Sequence, residues 1–482
     1  MFRLASVAVA AGLLLGAGAT SAAAAPRIGA YPKLYPAFSP KVHDYVSRCH
    51  AGRPLLLAVH APRSTKVRLG KRRARAGSSQ SRLRLTGGQG VAVKLGASTY
   101  RVRCLPKDFP TWTSERHGTP QASWYIVTPS VGGPEGEGSR YVAIFDRNGV
   151  PLWWMQPDYN PQDAKLLPDG NIVWSAFTFT PYVTHAAPYE ERRFDGTLVR
   201  SIATVGADTD SHELQVLPNG NYLLVAYVLR DGVDLSPYGG PADATVVDSV
   251  VQEVSPEGQL VWEWNSKDHV ALSESEPFMK PILLQPRKLD DGRTVYDITH
   301  VNGVEPDGGS LLISLRHTDS IYKVNRSTGA IEWKLGGTHT PESLTVEGEA
   351  PDSLVLGGQH DPRLYSDGTI TIHDNRTGTT LLPRSVRYRV DPAARTATQV
   401  EEITDPDTVL SLCCGSSRKL PGGNWVMSWG YNGLVTELTP SGQRVFGLRF
   451  GGELFSYRAV PVMAGSLSAG KLRKGMDAMH GG

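Results

Sequence analysis

Short alternating apolar and polar runs, closed by Gly, Pro, Asn or Asp, dominate this chain. A period of two puts one face of a strand into a core and leaves the other outside it. Three stretches share one spacing: His212-Glu-Leu-Gln-Val-Leu-Pro-Asn-Gly220, His300-Val-Asn-Gly-Val-Glu-Pro-Asp-Gly308 and His360-Asp-Pro-Arg-Leu-Tyr-Ser-Asp-Gly368. Each opens on a histidine and reaches an Asn-Gly or Asp-Gly pair, followed by a further alternating run such as Ser-Leu-Leu-Ile-Ser-Leu-Arg316. That pattern predicts a β-hairpin with a type I′ turn and a histidine at the start of its first strand. Gln162 to Gly170 and Gly415 to Gly423 keep the spacing without the histidine.

A second marker, a turn and then a strand that often holds Trp, recurs from Ser123 onward. Its copies include Asp146-Arg-Asn-Gly-Val-Pro-Leu-Trp-Trp154, Ser255-Pro-Glu-Gly-Gln-Leu-Val-Trp262 and Arg326-Ser-Thr-Gly-Ala-Ile-Glu-Trp333. Two hairpins per unit, six times over, predict six four-stranded sheets that must stack to bury their faces. Radial closure leaves only short edges, so residues 120–460 are expected to be an all-β, six-bladed β-propeller. The Trp residues at the blade ends would pack between blades. In blade three the repeat is interrupted, and residues 229–250 and 269–290 are expected to be loops or a lid. Residues 27–115 hold short strands such as Leu55-Leu-Leu-Ala-Val and Thr99-Tyr-Arg-Val-Arg-Cys104, as in a small β-sandwich. A joint at Leu105 to Pro120 and a C-terminal tail at 461–482 complete the division.

Composition narrows the setting. The 482 residues are 40% hydrophobic and 20% charged, with a net charge of +3, too small to point to nucleic acid. One run departs from the average: Arg53 to Arg84 carries ten Lys/Arg and no Asp/Glu, which reads as a solvated β-face or as a contact for an anionic surface polymer. Residues 1–25 read as a secretory signal peptide, with Arg3, a short apolar core and a small-residue cleavage region near Ala25. No later stretch is long and apolar enough to span a membrane, so a secreted or extracytoplasmic protein is expected. Cys49 and Cys104 bracket the N-terminal segment and are expected to form a disulfide. Cys413 and Cys414 are adjacent, and either a vicinal disulfide or two thiols fits.

The chemistry gathers on the repeated histidines. If the spaced hairpins line the channel, His212, His300 and His360 converge at its mouth from three consecutive blades. Arg316 lies eight residues after Gly308, as His300 lies eight before it, so the two should meet across the hairpin. Asn302 should share a face with His300. A lone histidine at a strand start is ordinarily a capped or core residue; three at one repeat position, with an arginine opposite, point to a site. There is no nucleophile elbow, His-Glu-x-x-His or phosphate-cradling loop. His43, His50, His60, His117, His185, His269 and His373 match no constellation and read as surface or structural.

These residues resemble the bacterial arylsulfotransferases (aryl-sulfate sulfotransferases). The likeness rests on His300-Val-Asn-Gly-Val through Arg316 to Trp333-Lys-Leu-Gly-Gly337, on Gln359-His-Asp-Pro-Arg-Leu through His-Asp-Asn375, and on Cys414-Gly-Ser-Ser-Arg-Lys-Leu-Pro-Gly-Gly-Asn-Trp-Val426. It covers roughly residues 120–460; the N-terminal domain and the adjacent cysteines depart from it. It implies an exported six-bladed propeller that moves a sulfuryl group from an aryl sulfate to a phenolic acceptor, with no nucleotide donor, metal or cofactor. By resemblance His360 is the transiently sulfated residue, His212, His300 and Arg316 are catalytic, and Asn302 and Arg316 bind substrate. A neutral imidazole is a competent nucleophile near pH 7, a second can serve as acid and base, and an arginine suits sulfuryl oxygens. Two other readings fit the same residues: three histidines holding zinc or copper, as in propeller lyases, and a non-catalytic propeller that binds a sulfated or phenolic ligand. Oligomeric state is open.

Overall fold

The computed structural model describes residues 25–49, 53–131, 140–177, 188–289, 291–349 and 354–481. The leader segment, His50 and His185 lie outside these residues. Among the described residues the strands form eight sheets. The first two, of three and six strands, lie within Arg27 to Cys104 and share one apolar core that includes Ile28, Leu57, Val67, Val93 and Val102. Cys49 and Cys104 are joined by a disulfide there.

Six sheets follow. Sheet I holds Trp124–Val131, Val142–Asp146, Pro151–Met155 and, from the far end of the chain, Leu454–Val462. Sheet II begins at Asn160–Leu166, sheet III at Thr209–Val216, sheet IV at Val301–Asp307, sheet V at His360–Leu364 and sheet VI at Ser416–Lys419. Each of these five opening strands touches the next. Ser416–Lys419 touches Leu454–Val462, which returns to Asn160–Leu166. Trp112–Arg116, in the expected joint, adds an outer strand to sheet VI by pairing with Phe450 to Phe446.

The spaced segments form the first hairpin of sheets II to VI, but not by the expected turn. In four of the five, three residues form the loop: the Gly170 N–H donates to the Leu167 carbonyl and the Leu167 N–H to the Asn171 carbonyl. The same pair of bonds recurs at Leu217, Tyr365 and Leu420. Proline opens three of these loops, and its fixed φ suits the first corner of a type I turn. Only the glycine, at φ 81° in Gly170 and 87° in Gly220, must then be left-handed, as in a type I turn with a G1 bulge. The Asp307–Ser310 pair closes a two-residue Gly-Gly loop instead.

Two expectations of irregular structure are replaced by ordered elements. Residues 229–250 are mostly strand, because Tyr222–Val233 and Ala244–Val254 extend the hairpin of sheet III outward. Within 269–290 lies an α-helix, Glu276–Leu284, whose Met279 and Ile282 are buried. The C-terminal tail is largely a second helix, Ala469–His480, capped by Ser468 and burying Leu472 and Met476. Its Asp477 pairs with Arg101 and Arg103, and its Arg473 with Asp44, so this helix ties the N-terminal sheets to sheet I. Three tryptophans bridge neighbouring sheets through their indoles: Trp153 donates to the Phe194 carbonyl, and Trp262 and Trp264 to those of Arg326 and Gly329.

Where the opening strands meet, the core is ionic. Arg458 pairs with Asp163 (2.6 Å), Glu213 (3.0 Å) and Asp361 (3.1 Å). Arg363 pairs with Glu213, Glu305 and Asp361, Lys165 with Asp163 and Glu213, and Arg418 with Asp361. Burial alone would raise the Glu213 carboxyl; Arg363, Arg458 and Lys165 outweigh it and hold the group well below the usual carboxylate range. Removing one partner from such a set strands a buried charge, which costs about 3–5 kcal/mol. Arg458→Met should therefore lose stability on that scale in chemical denaturation, far more than the similar-sized change Arg395→Met at an exposed turn.

Candidate functional site

The ionic hub and the histidines are made by the same strands, and a backbone irregularity separates them. Register breaks fall between Gln162 and Lys165, Thr209 and Leu214, Val301 and Gly303, and His360 and Arg363. Asp163, His300 and Asp361 there have φ of 47°, 57° and 58°. A bulge lets adjacent side chains leave the strict alternation of a strand. Thus Glu213 and Asp361 enter the hub, while His212 and His360, one residue earlier, gather above it.

His212 is central to the cluster. Its ring centre lies 5.0 Å from His300, 6.3 Å from His360, 5.8 Å from Tyr457 and 6.1 Å from Tyr227. Its Nδ1 bonds Asp210, and the Nδ1 of His300 bonds Asp297. A carboxylate accepts, so each Nδ1 carries the proton and each Nε2 is turned away from its carboxylate. His360 is anchored differently. Its Nδ1 donates to the Gly415 carbonyl at 2.8 Å, leaving the lone pair on Nε2, 3.1 Å from the Tyr457 hydroxyl. That hydroxyl lies equally near the His212 carbonyl, at 3.1 Å, and has one proton for two acceptors.

Burial, then Arg458, His212 and His373, pushes His360 well below the ordinary imidazole value. Burial also lowers His300, against the pull of Asp297. Both are held toward the neutral state. Burial likewise keeps the Tyr457 phenol protonated by raising it well above its usual value.

Arg316 sits at the edge of this group. Its N–H donates to the His300 carbonyl at 2.9 Å, so the two do meet across the hairpin end. Its guanidinium donates to the Leu412 carbonyl and lies 5.2 Å over the ring of Phe278, which comes from the helix inserted between strands of sheet III. Phe278 stacks on His317 at 5.1 Å, and His317 on His300 at 4.7 Å. Cys413 and Cys414 are free, half-buried thiols on the same side. The Cys414 contact, aided by Arg316 and His212, lowers the Cys413 thiol against burial.

Asn302 departs from its expected position. The bulge at Val301 to Gly303 breaks the two-residue alternation that would align it with His300. Its amide instead donates to the Gln359 carbonyl at 2.7 Å, immediately before His360. His373, which pairs with His360 across its hairpin, is fully buried and pushed by burial down to about 4.

Three participants had no signal in the sequence. Tyr457 stands in the closing strand, outside every spaced segment. Phe278 lies in an insertion. His317 follows Arg316, where its neighbour drew the attention. Among the described residues, Asp297, His300 and His317 also form one group that could hold a metal ion, with ligand atoms within 4.8 Å of one another. It is a different trio from His212, His300 and His360, and the positive charge of Arg316 bears on both its imidazoles.

The all-β sheets thus bring together three imidazoles, one of them with a buried Nε2 lone pair, and an arginine at their edge. Residues 194–451 match the model of the arylsulfotransferase (ASST) family. The chain belongs to that family, whose substrates are small molecules. No curated protein matches the sequence. Solved structures align weakly. A protein of unknown function from Bacteroides caccae is 12% identical over 71% of this chain and 99% of its own, with a TM-score of 0.41. A periplasmic gluconolactonase from Pseudomonas aeruginosa is 14% identical over 69% of this chain and 100% of its own, with a TM-score of 0.37. At these scores neither carries an argument.

The His360 geometry makes a direct prediction. A lowered pKa means that the Nε2 lone pair is lost only as pH falls well below 6.5. Long-range ¹H–¹⁵N spectra at pH 6 should show His360 as the neutral Nδ1–H tautomer, when a freely exposed imidazole is mostly protonated.

Proposed function

We propose that the chain is an exported arylsulfotransferase, carrying a sulfuryl group from an aryl sulfate to a phenol by way of a sulfohistidine at His360. The observation that carries this reading is the Nε2 of His360, neutral and unprotonated, with Tyr457 3.1 Å away and His212 alongside. Family membership supplies the sulfuryl chemistry. Nε2 attacks sulfur as the S–O bond to the aryl oxygen breaks. The phenoxide leaving group, whose conjugate phenol has a pKa of about 10, takes a proton from His300 or His212. The donor must first gain a second proton at Nε2; Asp297 favours this at His300 and burial opposes it, and the acid loses its positive charge on donating.

After the first phenol departs, the acceptor phenol returns a proton to the same imidazole and its oxygen attacks sulfur. The N–S bond breaks and Nε2 recovers its lone pair. Arg316 binds the sulfuryl oxygens with planar, permanently charged donors, and Phe278 beneath it limits its swing. In this reading Asn302 acts as a positioning residue, fixing the peptide that leads into His360. Tyr457 donates a hydrogen bond to Nε2 in the resting site and turns that O–H, still protonated, to the His212 carbonyl when Nε2 attacks. The reaction needs no cofactor or metal.

The wider frame of the proposal is a closed six-bladed propeller over residues 120–460 and a small β-sandwich over 27–115. The ring of strand contacts and the single apolar core of the first two sheets support it. Export is supported by the leader pattern of residues 1–25, by the Cys49–Cys104 disulfide and by the lack, among the described residues, of a helix long and apolar enough to cross a membrane.

With 4-nitrophenyl sulfate as donor, nitrophenolate release should depend on added phenol and yield phenyl sulfate. His360→Asn should lower it by about a thousandfold or more. Release in water alone would mark a sulfatase, and silence across several donors and acceptors would mark a binding propeller. Tyr457→Phe should retain the fold and lose roughly tenfold in kcat, the scale of one hydrogen bond.

A further inference from the structure

The segment from Tyr45 to Lys107 carries 15 Lys and Arg and no Asp or Glu. The rest of the chain keeps 35 of the 50 basic residues and all 47 acidic ones. A strongly basic module thus rides on an acid-rich body. Arg48 is occupied by the carbonyls of Phe109 and Pro110, and Arg101 and Arg103 by Asp477. The ten between Arg53 and Arg84 are all exposed, and none forms an ion pair among the described residues.

Their placement is not that of scattered solubilising charge. Lys66 and Arg68 alternate with Val67 and Leu69, which are buried in the core, so the cations take the outer face of one sheet. Arg68 stands directly across from Lys94, and like charges in that position weaken a strand pair. Arg82 lies on the outer face of the other sheet, opposite Leu56. Lys71, Arg72, Arg73 and Arg75 fill the turn and short strand between.

Outer faces on opposite sides of one core point in opposite directions. The cations therefore form a belt that no single plane can touch, which suits a flexible chain that wraps and not a flat bilayer. Eight of the ten are arginine, whose forked guanidinium takes sulfate or phosphate oxygens in pairs.

We propose that the N-terminal module binds a polymeric anion, a glycan bearing sulfate or phosphate groups, and so holds the catalytic body on a polyanionic matrix. The full chain would be titrated with fluorescein-labelled heparin and labelled phosphomannan, whose comparison separates the sulfate source from the phosphate source. Log Kd should rise linearly with log salt between about 50 mM and about 200 mM, as counterion release requires. Replacing Arg72, Arg73 and Arg75 together by Glu, all in exposed positions, should weaken binding about tenfold or more and flatten the salt slope, with the melting temperature unchanged. The inference is overturned if neither polymer binds at the lower salt, or if the triple variant binds as the parent does. It is equally overturned if phosphatidylglycerol vesicles or duplex DNA are bound while both glycan-type polymers are ignored.

Discussion

The buried charge network beneath the histidines is the interaction on which the rest of this structure depends. Asp163, Glu213, Glu305, Asp361, Arg363, Arg418 and Arg458 come from six different strands, one from each sheet that meets at the centre. Apolar side chains at that position would hold the sheets together equally well, and by area alone better. Charges do something else. A carboxylate shared between two guanidiniums is satisfied in one arrangement only, so each strand's height relative to its neighbours is specified.

The site inherits that specification. Glu213 and Asp361 each follow a site histidine in the chain, and their attachment to Arg363 and Arg458 leaves His212 and His360 little freedom along the strand. The left-handed backbone at Asp361 is strained for a residue other than glycine, and it persists where surrounding contacts over-determine it. The positive hub has an electrostatic effect as well. Arg458 disfavours protonation of His360, adding to burial, so the same group that fixes the strand also preserves the Nε2 lone pair.

Around this rigid centre the outer elements are varied. The helix at Glu276–Leu284 interrupts sheet III to bring Phe278 under Arg316. The closing strand Leu454–Val462 brings Tyr457 and Arg458, adjacent in sequence, to His360 and to the hub respectively. Closing the ring is thus also the step that completes the site. The C-terminal helix then fastens the N-terminal sheets to sheet I, away from the histidines.

Much of this was legible in the chain. The eight-residue interval from His360 to Gly368, repeated at His212 and His300, identified the hairpins, the strands that come together and the histidines they carry, because a period of two and a turn glycine are local properties. The arginine opposite His300 followed from hairpin symmetry. The turn type did not, because the proline before Asn219 sets a type I corner that overrides the usual meaning of Asn-Gly. Tyr457 and Phe278 were invisible: neither lies in a repeated position, and only chain closure and an inserted helix bring them near. Asn302 was misdirected because bulges reset the alternation on which its placement relied. Sequence by itself determined which residues recur, and hence the repeating β-architecture. Only the tertiary structure decided which of them face His360, since bulges and the ionic hub depend on partners from other strands that no local pattern encodes.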